Sequence, residues 1–431
     1  MVMQLSVIGT GYVGLVTAAC FADLGHHVIG MDRDAERIRM LRDGDVPFFE
    51  PGLAEMLQRV QQADRLQFST SIGEAVEHSD VIFITVGTPS KEGGDADLTA
   101  VASVAEGIAG ALTGYRLIVE KSTVPVRTGS RIRDQISLLT RGAVPFDVAC
   151  NPEFLREGSA IHDFMHPDRI VLGVTSERSE RLLRDLYVSF ACPLLVTDLT
   201  TAETIKHASN AFLAMKISYI NAVSAICERV GADIRQVADG MGYDRRIGRA
   251  FLDAGVGYGG SCFPKDVAAF IRIAEEAGYK FRLLEEVARI NDEQRETLVR
   301  HLQDALWVLA NRTIAVFGLA YKPNTDDIRD APSVAIIDRL LREGAAVRAY
   351  DPVAEANARQ LMPAVTYCPT PYDAASAADA VVILTEWDEF RSLDLARLRE
   401  VMRRPVLIDG RNVLDPQAAR ALGFHYAGMG R

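Results

Sequence analysis

A single cysteine stands inside a glycine run that closes on a charged pair. In GVGYGGSCFPKD, residues 255–266, Cys262 follows Gly255, Gly257, Gly259 and Gly260 and precedes Lys265 and Asp266. A thiol with so little bulk around it can be approached closely by a substrate, and a nearby cation or helix N-terminus favours the nucleophilic thiolate. Cysteine also serves as a small buried hydrophobe, the reading that fits Cys20, Cys150, Cys192, Cys227 and Cys368. Lys206 and Asn210 are four apart in an apolar helical stretch. They share one face, a cation beside an amide donor, which suits an oxyanion. In NPEFLREG, 151–158, Glu153 lies just past an apolar run and Glu157 follows four residues on. Acids at a sheet edge can handle ligands or protons, although acids at a helix start are also ordinary. EKSTVP, 120–125, sets Thr123 beyond another strand, and YKPNTDDIRD, 321–330, sets Lys322 and Arg329 where a phosphate could be met.

These residues need elements to hold them. QLSVIG, 4–9, reads as a strand, GTGYVG, 9–14, as a glycine turn, LVTAACFADLG as a helix, and HHVIGMD, 26–32, as a strand ending in an acid. In that order G-x-G-x-x-G signals dinucleotide binding. Gly9 permits the turn, Gly11 lets backbone amides approach a pyrophosphate, and Gly14 lets the helix pack on the sheet. Asp32 would accept from both ribose hydroxyls and repel a 2′-phosphate, which favours NAD over NADP; Arg33 and Arg37 argue the other way. The last third repeats the grammar: NRTIAVFG, APSVAIIDRLLREG and AAVRAYD read as strand, helix and strand. SDVIFITVGTP, 79–89, and ADAVVILTEWD, 378–388, share an acid, a buried-strand run and a threonine. The second glycine turn reads GLAYKP, so a second dinucleotide is not expected there. Between the halves, 203–230 reads as one helix with apolar residues on more than one face, which suggests a domain bridge or a dimer contact.

The expected fold is therefore α/β, with two Rossmann-like, doubly wound parallel-sheet domains joined by a long central helix. The expected domains are 1–200 for NAD, 201–300 for helical dimerisation and 301–431 for a second nucleotide-binding-type unit. A chain of 431 residues, 48% hydrophobic, can bury several cores. Its formal charge of −11 argues against nucleic acid or an anionic membrane as partner. The scattered cysteines suggest neither zinc nor disulfides, and no metal is expected. The N-terminal apolar stretch lacks a cationic lead and is broken by glycines, so a cytoplasmic enzyme is expected.

With GTGYVGL, FFEPGL, VGTPS, EKSTVPVRTG, NPEFLREGSAI, RIGRAFLDAGVGYGGSCFPKD, YKPNTDDIRDAPS, TEWDEF and DGRNVLD in this order, the chain resembles the UDP-glucose/GDP-mannose dehydrogenase family nearly end to end. It is closer to the UDP-glucose branch. The resemblance implies NAD-dependent four-electron oxidation of UDP-glucose to UDP-glucuronate, with a thiohemiacetal and then a thioester on Cys262. It implies oxyanion roles for Lys206 and Asn210, and water-handling roles for Asp266, Thr123 and Glu153. Implied cofactor contacts are Gly9, Gly11, Tyr12, Val13, Gly14, Asp32, Arg37, Thr88, Thr123, Glu157, Lys265 and Arg329. Implied substrate contacts are Glu153, Phe154, Leu155, Arg156, Lys206, Asn210, Phe251, Leu252, Asp253, Ala254, Gly255, Gly259, Lys322 and Arg411, with Arg246 reaching a neighbouring subunit of a homodimer or larger homo-oligomer. Departures from the family pattern are Ser90, where threonine is usual, and His207 and Ser209, where tyrosine and alanine are. Oxidation of another nucleotide sugar, a two-electron hydroxyacid dehydrogenase and a non-catalytic nucleotide-sugar sensor stay open as alternatives.

Overall fold

Short runs of aliphatic residues make the strands β1 (Gln4–Ile8), β2 (His27–Met31), β3 (Leu66–Ser69), β4 (Val81–Ile84), β5 (Arg116–Glu120), β6 (Phe146–Cys150), β7 (Ile170–Gly173) and β8 (Leu194–Thr197). The computed structural model describes residues 2–89, 91 and 95–431, so Ser90 lies outside the described residues. The eight strands pair in the order β3-β2-β1-β4-β5-β6-β7-β8. All neighbours are parallel except β6 and β7, where Cys150 pairs antiparallel with Gly173. Successive side chains of a strand point to opposite faces. Val81 and Phe83 of β4 accordingly enter one core cluster and Ile82 and Ile84 another, with helices covering both faces.

A second sheet is built from β9 (Thr313–Phe317), β10 (Ala346–Tyr350), β11 (Thr366–Tyr367), β12 (Ala380–Ile383), β13 (Val406–Asp409) and β14 (His425–Gly428), all parallel, in the order β11-β10-β9-β12-β13-β14. Its first three strands and the next three are arranged as the first six are in the larger sheet. The threonine repeated in the sequence has one job in both. Thr85, after β4, donates to the carbonyls of Ile8 and Gly9 at 2.9 and 2.8 Å, and Thr385, after β12, donates to the Ala320 carbonyl at 2.5 Å. Each hydroxyl thus ties the turn after a sheet's first strand to the next strand but two. The repeated acid is not used alike: Asp379 is fully buried and accepts from the Thr313 amide at 2.9 Å, whereas Asp80 is exposed.

The chain divides into two compact units, residues 1–209 with 268–277, and residues 210–267 with 278–431. The long helix runs Leu199–Val230, 32 residues. It begins four residues before the expected 203 because Asp198 caps it, accepting from the Thr201 amide at 2.9 Å and hydroxyl at 2.7 Å. Gly231, at φ +76°, ends it. Among the described residues this helix alone has the length and mean hydropathy, 1.2 over its most apolar window, to cross a membrane. Its polar residues are nonetheless engaged by protein: Ser218 donates to the Val287 carbonyl at 2.7 Å, and Asn221 accepts from the Gly255 amide at 2.9 Å. That is the behaviour of a core helix.

Gly318 shows how tightly the second sheet's first turn is built. It sits at φ +92°, and an added Cβ would lie 2.4 Å from Thr385 Cβ. Gly318→Ala should cost about 2–4 kcal/mol through backbone strain and overpacking. In differential scanning calorimetry the transition of the unit containing it should fall by roughly 5–10 °C. An unchanged transition contradicts the turn geometry.

Candidate active site

In the first unit the glycine turn is shaped for a diphosphate. Gly9 lies at φ +101° under Thr85, and a Cβ on Gly14 would come 1.8 Å from the Gly9 carbonyl oxygen, so neither position admits a side chain. A Cβ on Gly11 would meet nothing within 4 Å. The helix Tyr12–Asp23 starts at Gly11 with no side-chain cap, so the amides around Tyr12 and Val13 face outward with a positive helix end behind them. Asp32, at the end of β2, accepts from the Thr10 amide at 2.9 Å, the Thr10 hydroxyl at 3.0 Å and the Asp34 amide at 3.1 Å, with Arg37 at 3.5 Å. Burial alone would raise its pKa, but these hydrogen bonds and Arg37 outweigh burial and hold the carboxyl below its usual value. A charged acceptor beside an uncapped helix start, with a position open at Gly11, fits a dinucleotide. Thr88 donates to the Thr123 carbonyl at 2.7 Å, which joins two of the expected cofactor residues, and Glu157 is buried in the loop after β6.

The same unit buries an ion pair. Lys206 Nζ reaches Glu153 Oε1 at 2.8 Å and the Glu153 carbonyl at 2.6 Å, and the two side chains are only 5% and 6% exposed. The other Glu153 oxygen accepts from the Leu155 amide at 2.7 Å. Phe154 lies under Lys206, 5.3 Å from ring centre to Nζ, with Arg169 stacked on it at 3.6 Å. Arg156 points elsewhere and forms a two-pronged pair with Asp163.

The second unit holds the thiol. Cys262 is exposed and immediately precedes the helix Phe263–Glu276, its carbonyl accepting the first helical bond from Asp266 at 2.8 Å. The sulfur is therefore at a positive helix end. One turn in, the buried Asp266 accepts from Asn210 Nδ2 at 2.6 Å and lies 3.4 Å from Lys265 Nζ. On the side where a side chain would stand, the glycines before Cys262 face protein. A Cβ on Gly255 would meet the Gly410 carbonyl at 2.9 Å, on Gly259 the Asp330 carbonyl at 2.3 Å, and on Gly260 the Tyr321 ring at 2.6 Å. Their smallness lets three backbone segments close on one another. Arg411 joins the same place, donating to the carbonyls of Leu384, Gly257 and Tyr321 at 2.8, 3.1 and 3.1 Å.

Phe251, at φ +65°, lies 6.3 Å from the Phe263 ring, Leu252 and Ala254 are buried, and Asp253 pairs with Arg249 at 2.6 Å. Lys322 Nζ stands 5.4 Å from the Tyr321 ring centre, Arg329 pairs with Asp327 at 2.7 Å, and Arg246 is 89% exposed beside Asp244.

A buried cluster of the first unit was not singled out from sequence. Lys121, last seen in EKSTVP, is 4% exposed and donates to Asn151 Oδ1 at 2.9 Å, where the Tyr187 hydroxyl also arrives at 2.6 Å. Burial pushes its ammonium down to about 8, against the pull of Glu153 and with Lys206 adding to the shift. Next to it Glu120 is pushed up to about 8 by burial, partly offset by Ser122. The available signal was a charge pair closing a strand of otherwise apolar residues, which must be buried with its strand end.

Three family models match in succession: the NAD binding domain of the UDP-glucose/GDP-mannose dehydrogenase family over residues 3–191, its central domain over 200–293, and its UDP binding domain over 315–416. The chain is 47% identical over 429 residues to the UDP-glucose 6-dehydrogenase TuaD of Bacillus subtilis, spanning 99% of this chain and 93% of that protein. It is 46% identical over 437 residues to the UDP-glucose 6-dehydrogenase of Rhizobium meliloti, spanning 100% of both. Among solved structures, a UDP-glucose dehydrogenase from Pyrobaculum islandicum superposes with a TM-score of 0.94 at 41% identity, covering 100% of this chain and 98% of that one. Full-length identity of this order, on a chain whose glycine turn, buried lysine–glutamate pair and helix-end cysteine are all formed, means that the chain belongs to the UDP-glucose/GDP-mannose dehydrogenase family.

Proposed function

We propose that this protein oxidises the primary alcohol of UDP-glucose to the carboxylate of UDP-glucuronate, with two NAD⁺ reduced per product. The observation that carries the reading is Cys262 at a helix start one turn from the buried Asn210–Asp266 pair. An aldehyde gives up hydride poorly until a nucleophile adds to it. The glycine turn and Asp32 would hold NAD⁺, which would supply the hydride acceptor for both oxidations at the sugar's C6.

The first oxidation leaves an aldehyde and releases one proton. The Cys262 sulfur then bonds to the aldehyde carbon, and its proton passes to the oxygen to give a thiohemiacetal. Loss of that proton with the second hydride leaves a thioester. Water adds to the thioester, the carbon–sulfur bond breaks, Cys262 recovers its proton and the carboxylate departs. Lys206 supplies a positive charge for the developing oxyanion, and Asn210, with one amide hydrogen on Asp266, has a second to offer it. Glu153 is the base for thioester hydrolysis, with Thr123 and Asp266 orienting water. Lys322 and Arg411 meet the diphosphate end, and the 251–255 segment with Gly259 lines the sugar.

The division of labour follows as 1–200 for NAD, 201–300 for dimerisation and 301–431 for the UDP-sugar. A homodimer is supported by Phe212, Tyr219 and Ile226, which are 56%, 53% and 57% exposed and recur every seven residues along one face of the long helix. Cytoplasmic residence follows from the unpatterned cysteines and acidic balance.

Wild-type enzyme should release about two NADH per UDP-glucuronate. Cys262→Ser should stop before carboxylate appears, with activity lower by at least about a thousandfold; normal UDP-glucuronate formation by that variant would falsify the covalent route. A ratio of one NADH per product would instead support a two-electron dehydrogenase. For the dimer, Tyr219→Lys with Ile226→Lys should halve the mass seen by light scattering. An unchanged mass places the contact elsewhere.

A further inference from the structure

The segment FFEPGL contributes a carboxylate that the reaction does not use. Glu50 is 6% exposed and lies 38 residues from Tyr12 and 108 from Gly158 in sequence, yet touches both. Its Oε2 accepts from the Tyr12 hydroxyl and, at 2.6 Å, from the Gly158 amide; its Oε1 accepts from the Ala160 amide at 2.8 Å. The Gly158 amide also reaches the Tyr12 oxygen at 2.9 Å, and the Phe48 ring lies 4.8 Å from the Tyr12 ring. Glu50 is itself held from behind, its carbonyl accepting from Leu53 at the start of the next helix, 3.2 Å away. Among the described residues no lysine or arginine pairs with this carboxylate; its donors are two amides and a phenol.

We infer that Glu50 is a positioning residue for the cofactor, holding the Tyr12 end of the glycine turn and the Glu157–Gly158 backbone in one fixed arrangement. Burying a carboxylate without a cation is costly, and an apolar side chain could fill the same volume. What the carboxylate adds is direction: three donors from two distant segments must converge on two oxygens. Tyr12 is the first residue of the helix after the glycine turn, and Gly158 follows Glu157, so both clamped segments belong to the cofactor set proposed above. Burial, followed by the bond to Glu50, raises the Tyr12 hydroxyl far above its usual range, so it stays protonated and donates. This inference rests on the reading of the first unit as the NAD site.

The test is Glu50→Gln, in which an amide NH₂ must face one of the three donors, alongside Tyr12→Phe and the double variant. NADH fluorescence titration should show Glu50→Gln binding about tenfold more weakly. The KM for NAD⁺ should rise in step, while the KM for UDP-glucose moves less than about twofold. Tyr12→Phe should weaken NADH in the same direction by a smaller factor, and the double variant should be no weaker than Glu50→Gln, since the hydroxyl acts through the carboxylate. NADH affinity within about twofold of wild type in Glu50→Gln, or equal rises in both KM values, overturns the inference. Should Glu50→Gln fail to fold by circular dichroism, Tyr12→Phe decides, and unchanged NADH affinity there overturns it. The titration needs no turnover, so wild type that binds NADH without oxidising UDP-glucose defeats the proposed reaction while leaving this inference to its own result.

Discussion

The buried Lys206–Glu153 pair is the constraint from which much of the first unit's architecture follows. Removing an ammonium and a carboxylate from water costs several kcal/mol per ion, and the attraction between them offsets this only where geometry is good and further hydrogen bonds are made. Both conditions hold, because the ammonium takes two oxygens of one residue and the carboxylate's second oxygen takes the Leu155 amide. Satisfying the pair requires the loop after β6 to be held still. Asn151, at its start, does this by receiving Lys121 and Tyr187 on Oδ1 while its amide donates to the Val171 carbonyl at 3.0 Å. Three strand ends, β5, β6 and β7, are thereby tied to one side chain. Rigid placement of a cation is also what oxyanion stabilisation demands, since a preorganised charge need not reorient as the reaction proceeds.

The two sheets share a strand order but use the acid at the end of the second strand differently. Asp32 has three hydrogen bonds and an arginine at its edge, and its side chain remains 13% exposed. Asp351, at the matching place after β10, accepts from the amides of Leu319, Ala320, Val353 and Ala354 and from the Trp387 indole, and is 3% exposed. Five donors saturate a carboxylate's lone pairs. The same residue type thus serves in one sheet as a partly exposed acceptor, the one proposed for a ribose, and in the other as a staple for the turn. GLAYKP can lack the later glycines because its backbone is held by Asp351 and its companion Thr385.

Local signals carried most of the fold. Strands, the glycine turn, the helix stop at Gly231 and the repeat of two halves were legible because each depends on residues within a few positions of one another. The long helix began earlier than read because its cap, Asp198, precedes a pair of threonines that look like loop. In the candidate site, Cys262, Lys206, Asn210, Asp266 and Glu153 were legible as types at suggestive spacings, and the resemblance gave them roles. Glu50, Lys121 and Asn151 were not singled out, because their partners lie between 20 and 110 residues away in the chain. The glycines before Cys262 were seen, but not what packs against them. Glycine reports that something comes close, and only the packing around Gly255, Gly259 and Gly260 tells whether it is a ligand or the protein's own backbone.

A last question is why an acid stands one turn from the thiol proposed to react as a thiolate. Two like charges that close disfavour each other unless each has its own compensation. Here the compensation is separate. Cys262 lies at the helix end itself, where the dipole favours an anion. Asp266 lies inside the first turn, with one oxygen on Asn210 and the other 3.4 Å from Lys265. The acid's charge is therefore directed toward an amide and an ammonium. In return it orients Asn210, whose amide can present a donor only if its own plane is fixed. The acid near the thiol is thus tolerated electrostatically because it is committed to positioning, and removing it would release both the amide and the lysine that it holds.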